Sequence, residues 1–131
     1  MSDAFDAQAM FANLAEKERI KGHHSPEGRA IRTLSRALNG WSAGALSRLD
    51  VIVLCDQAIE DWLNSRVART IWSGRPVGNL IPQAVEDNLI ATAEAERLLI
   101  LHRARVNGVD CSDAEVSDAL EFCIELIDKR W

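Results

Sequence analysis

The residues best suited to do chemistry in this chain are charged groups that stand on apolar helical stripes. Asp56 and Glu60 lie one helical turn apart, flanked by Leu49 and Val53 on one side and Leu63 and Val67 on the other. That spacing puts both carboxylates on the inward face of a helix. Further on, Glu96 and Arg103 fall in line with Val85 and Leu89. A buried charge without a partner is strongly unfavourable, so Asp56, Glu60, Glu96 and Arg103 are expected to form one buried polar cluster. In it Arg103 meets Glu60 or Asp56 with the forked geometry that guanidinium and carboxylate share. Such a cluster serves either as an internal ion pair that fixes helix register or lines a dimer contact, or as a ligand or catalytic site, because charges are perturbed at both.

His102 follows Ala95 and Leu98 on a second, small-residue stripe, where a lone histidine reads first as a packed or half-exposed side chain. If the chain is an enzyme, His102, Arg103 and Asn107 are its candidate catalytic residues. The row Arg29, Arg32, Arg36 is the candidate nucleic-acid contact; its plainer reading is a solvated helix face, since three arginines supply only modest, salt-dependent affinity. Nucleotide-binding glycine loops, the Gly-x-Ser-x-Gly elbow and Cys-x-x-Cys are all missing from the sequence, and no Glu has His three residues later, as di-iron bundles need. No cofactor and no metal are implied.

Size and composition bound what positions these groups. With 131 residues, 47% hydrophobic and 27% charged, the chain is expected to fold as one globular domain over 1–131. Three prolines and seven glycines are too few for the turns of an all-β sandwich. The expected fold is all-α: an up-down bundle of four to five helices with one long central helix. No apolar run reaches the roughly 18 residues that span a bilayer. The start, Met1-Ser-Asp-Ala-Phe-Asp6, has no basic or apolar leader character, and three cysteines, Cys55, Cys111 and Cys123, form no metal spacing. A cytoplasmic protein with no membrane association is expected. The net charge of -5 disfavours indiscriminate coating of nucleic acid. It is unevenly spread: residues 29–48 carry Arg29, Arg32, Arg36 and Arg48 with no acid, and residues 110–128 carry seven acids with no base.

Punctuation predicts five helices. The first runs from about Ala4 to Lys21 and ends at Gly22; because it is weakly amphipathic, residues 1–24 read as a mobile or dimer-contact segment. The second has Ser25 as N-cap, Pro26 at the first position and a stop at Asn39-Gly40. The third runs from Ser42 to Trp72, with Leu46, Leu49, Ile52, Val53, Ile59, Leu63, Val67 and Ile71 as its apolar face. The fourth starts between Asn79 and Pro82 and continues to Val106. The fifth opens on the capping box Ser112-Asp-Ala-Glu115 and carries Val116, Leu120, Cys123 and Ile127.

Two of these segments resemble HEPN domains. Leu49 to Arg66, containing Gln57-Ala-Ile-Glu60-Asp-Trp-Leu63, looks like the family's second bundle helix and its Gln-Ala-x-Glu-x-x-Leu core. Leu99 to Gly108, followed by an acidic capped helix, is similar to its Arg-Asn-x-x-x-His-Gly corner. The resemblance spans about residues 45–128 and implies a helical bundle, commonly a homodimer, in a toxin–antitoxin or defence setting. Many such domains cut RNA with an Arg-x(4–6)-His motif, in which His moves protons and Arg stabilises phosphate charge. Here Glu60 and Arg103 match family positions and Asn107 occupies the corner, but no histidine follows Arg103. Asn cannot exchange a proton near neutral pH. The resemblance therefore implies a non-catalytic domain that binds RNA or protein as a dimer. The alternatives are a metal-independent ribonuclease using His102 in a rearranged site, and a structural adaptor that contacts protein through its acidic last helix.

Overall fold

The computed structural model describes residues 7–21, 25–67 and 77–129. They form six helices and, among the described residues, no strand: α1 (Ala7–Lys21), α2 (Pro26–Ser42), α3 (Arg48–Val67), α4 (Val77–Glu86), α5 (Thr92–Asn107) and α6 (Asp113–Lys129). No helix is long and apolar enough to cross a membrane among these residues. The all-α bundle expected from the sequence is the fold, arranged around α3, against which α2, α4, α5 and α6 all pack.

The helix starts follow local hydrogen bonding. Ser25 Oγ accepts from the Gly28 N–H at 2.9 Å ahead of Pro26, and Ser112 and Glu115 form the predicted reciprocal box, with bonds of 3.1 and 2.7 Å. Those bonds to Ser112 hold the Glu115 carboxyl below its ordinary range. A second box was overlooked: Ser47 Oγ accepts from the Asp50 N–H at 3.1 Å, and Asp50 accepts from the Ser47 N–H. It starts α3 at Arg48, where the sequence reading began the helix at Ser42. The chain instead turns through Gly44, whose φ of +71° suits a residue without Cβ. Leu49 consequently lies outside the core, 45% exposed. The expected extension of α3 to Ile71 and Trp72, the start of α1 at Ala4, and Gly22 lie outside the described residues.

Helix α2 does not stop at Asn39-Gly40 but runs through to Ser42, because Gly40 leaves room for the returning chain. A Cβ at Gly40 would stand 2.5 Å from Leu46 Cγ, so Gly40→Ala must push Leu46 aside. Urea unfolding of that variant is expected to show a loss of about 1–2 kcal/mol from overpacking.

The predicted fourth helix is in fact two. Helix α4 carries Pro82 inside rather than at its start, and ends at Glu86. Asp87 to Ala91 then turns the chain, with Asn88 in the left-handed region at φ 59°. Asn adopts that conformation more readily than most residues, since its short polar side chain can bond locally. Helix α5 restarts with Glu94 accepting from the Ala91 N–H at 2.8 Å.

The core gathers Ile31, Leu34 and Leu38 of α2, Ile59, Trp62 and Leu63 of α3, Leu80 and Ile81 of α4, Leu98 of α5, and Leu120 and Ile127 of α6. Helix α1 lies on α2 with Leu14 buried, and Asn13 and Lys17 reach Asp128 of α6 at 3.2 and 2.6 Å. The Lys17 contact holds the Asp128 carboxyl below its ordinary range. A lowered native pKa adds stability above the unfolded value of about 3.9, which is lost as pH falls through the native one. Asp128→Asn is thus expected to cost about 0.5 kcal/mol at pH 7, given the 47% exposure of Asp128, and progressively less as pH falls below about 4.

Candidate functional site

Helices α3 and α5 bring four ionisable side chains together. On α3, Asp56 and Glu60 are one turn apart; on α5, His102 and Arg105 are three residues apart, so each pair shares a face. Asp56 is fully buried, and its Oδ2 lies 3.0 Å from His102 Nδ1 and 3.0 Å from Arg105 Nη1. Arg105 Nη1 also stands 3.9 Å from Glu60 Oε1. A carboxylate oxygen only accepts, so Oδ2 takes hydrogen bonds from Arg105 and from His102 Nδ1 alike, and Nε2 is the ring nitrogen outside this contact. Among the described residues Asp56 Oδ1 receives no hydrogen bond.

The ion pairs of this cluster are made within it. Two carboxylates face one guanidinium and one imidazole, so the group is neutral when the ring is protonated and carries a surplus negative charge when it is not. Burial raises the Glu60 carboxyl above its ordinary range even though Arg105 is near, with Asp56 and Asp61 adding to the rise. Burial wins there because Arg105 makes its closer contact with Asp56.

Several expectations change. Asp56 is buried and Glu60 half-buried beside it, but Arg103 and Glu96 are exposed, and the arginine that meets both carboxylates is Arg105. The error has one cause. Val85, Leu89, Glu96 and Arg103 align only along an uninterrupted helix, and the turn at Asn88 resets the phase before α5 begins. The stripe Ala95, Leu98, His102, visible in the sequence, leads to Arg105 when extended by three residues. Asn107, at the end of α5, is exposed and followed by Gly108 in the left-handed cap. His102 thus faces Asp56, while Arg103 and Asn107, one turn apart on α5, are exposed to solvent. Arg29, Arg32 and Arg36 are exposed along α2, with Arg29 near enough to Asp61 to act on its carboxyl. His23 and His24 lie outside the described residues.

On the other flank of α5 is a cleft of about 250 Å³ that the sequence reading did not anticipate. Its α5 wall is Arg97, Ile100, Leu101 and Ala104, at spacing i, i+3, i+4, i+7. The α6 wall repeats that spacing from Glu115 through Asp118 and Ala119 to Phe122, over a floor at Ile52. The Arg97 guanidinium lies 4.0 Å from the Phe122 ring centre and bonds Asp118 at 2.8 Å. Ile100 is 66% exposed at the lip.

The described residues thus define an all-α bundle with an internally paired charge cluster on one side of α5 and an apolar cleft on the other. Comparison with protein-family models, with curated proteins and with solved structures found no match.

Proposed function

We propose that this chain is a HEPN-like binding domain without nuclease activity, a dimer that engages a protein partner in preference to RNA, in keeping with a toxin–antitoxin or defence setting. One observation carries the non-catalytic part: the arginine beside His102 is Arg105, which is already engaged by Asp56 and Glu60. A phosphate arriving there meets two carboxylates and no uncompensated cation, while Arg103, the family-matching arginine, faces solvent. The preference for protein follows from the cleft beside α6, apolar within and acidic at the rim, a surface that repels a polyanion.

The Asp56–His102 contact favours a second reading, a metal-independent ribonuclease in which Asp56 orients His102 and Nε2 exchanges the proton of a 2′-hydroxyl. Incubating the purified chain with mixed RNA in chelator separates the two. Intact RNA and no gel shift at low salt are expected. Cleavage lost in both His102→Ala and Arg105→Ala would replace the first reading by the second, and a shift lost in Arg29→Glu/Arg32→Glu would restore RNA as the ligand. Sedimentation over a range of concentrations tests the dimer, which a monomer throughout contradicts.

A further inference from the structure

We infer that the α5–α6 cleft is the docking groove for a cationic amphipathic helix of a partner protein. This rests on the protein-binding reading above and specifies its partner. Ile100, Leu101 and Ala104 of α5 face Ala119 and Phe122 of α6 across the cleft, an apolar strip between two helices into which a third helix can lay anchors at i, i+3 or i+4, and i+7. At about 250 Å³ the cleft is below the roughly 300–1,000 Å³ of small-molecule sites, and suits a few anchor side chains rather than a whole ligand. Ile100 at the lip presents apolar area that its own chain leaves uncovered.

Charge selects the occupant. Glu115 and Asp118 edge the cleft; Asp110 and Asp113, 89% and 79% exposed, lie at its Cys111 end, where the one guanidinium of Arg48, at 4.0 and 3.6 Å, answers two carboxylates and leaves the surface net acidic. The Glu121 carboxyl is raised mainly by burial and then by Glu125 and Asp118; the Cys111 thiol is raised mainly by burial and then by Glu115 and Asp110, against an opposing pull from Arg48. Arg97 answers Asp118; Glu115, whose Oε1 caps α6 at the Ser112 N–H, is exposed and pairs with no cation among the described residues, so its charge is open to a partner's Lys or Arg. A second copy of this chain fits poorly. Its basic helix, α2, has Ile31, Leu34 and Leu38 buried in its own core, so it brings arginines without anchors, and α6 against α6 opposes acid with acid.

A displayed library of 16-residue helical peptides, selected on the full chain at low salt, tests this without assuming a sequence. Enrichment of Lys/Arg-rich peptides with apolar residues at i, i+3 or i+4, and i+7 is expected. Their affinity should fall about tenfold or more in Ile100→Asp and in Asp118→Lys, and should weaken as salt is raised. Both substitutions are at exposed positions, and circular dichroism checks that each variant folds. Peptides that need Ile100 but are neutral or acidic would overturn the cationic partner while leaving the binding reading in place. No peptide that depends on Ile100 would overturn both. Sedimentation showing a dimer that Ile100→Asp dissolves would give the groove to a second copy and end this inference.

Discussion

Arg105→Ala is expected to lower the unfolding free energy by about 2–3 kcal/mol, while Arg103→Ala, two residues away, changes it by less than about 0.5 kcal/mol. Removing Arg105 leaves Asp56, with a side chain only 1% exposed, dependent on His102 alone. Breaking a buried pair from one side typically costs about 3–5 kcal/mol, and the figure here is smaller because Arg105 is 29% exposed and its site admits water. Arg103 makes no such contact from its place on the outer face of α5. Urea titration of the two single variants reads both numbers. Equal losses would mean that the cluster has been assigned the wrong arginine.

The second large effect belongs to Trp62, the largest fully buried side chain among the described residues. Trp62→Ala should cost about 3–5 kcal/mol, because the surrounding helices close only partly over the space it leaves. Trp62→Phe should cost much less, about 1–2 kcal/mol, since the indole Nε1 has no hydrogen-bond partner among the described residues and only packing is lost. Thermal unfolding of the pair separates the two outcomes. If Phe were as damaging as Ala, the indole nitrogen would have a bonding role that its surroundings do not provide.

The fold was legible in the sequence wherever caps are chemical. Ser25-Pro26 and Ser112-Asp-Ala-Glu115 marked helix starts that the structure reproduces, and Ser47-Arg-Leu-Asp50 carried the same kind of signal without being read. Periodicity did less well on α3. A central helix packed on by four neighbours buries Val51, Ile52, Cys55, Ala58, Ile59, Trp62 and Leu63 around much of its circumference, so no single stripe names its core. The site was half legible. Asp56 and Glu60 stood out as acids among apolar residues, but their partners depended on the phase of α5, which a turn at Asp87 to Ala91 controls. That turn contains no Gly or Pro, only an Asn in a left-handed conformation. The α5–α6 cleft was beyond reach, because it is made by two helices lying beside each other on α3, a relation that no local pattern encodes.

What the functional reading needs is that Arg105 be occupied by Asp56 rather than available to a phosphate. A double-mutant cycle of Asp56→Asn and Arg105→Met, followed by urea unfolding at pH 7, measures that directly. The prediction is an interaction energy of about 1.5 kcal/mol or more between the two positions. Losses that add to within about 0.5 kcal/mol would mean the two groups ignore each other, leaving Arg105 free for phosphate chemistry and contradicting the non-catalytic proposal.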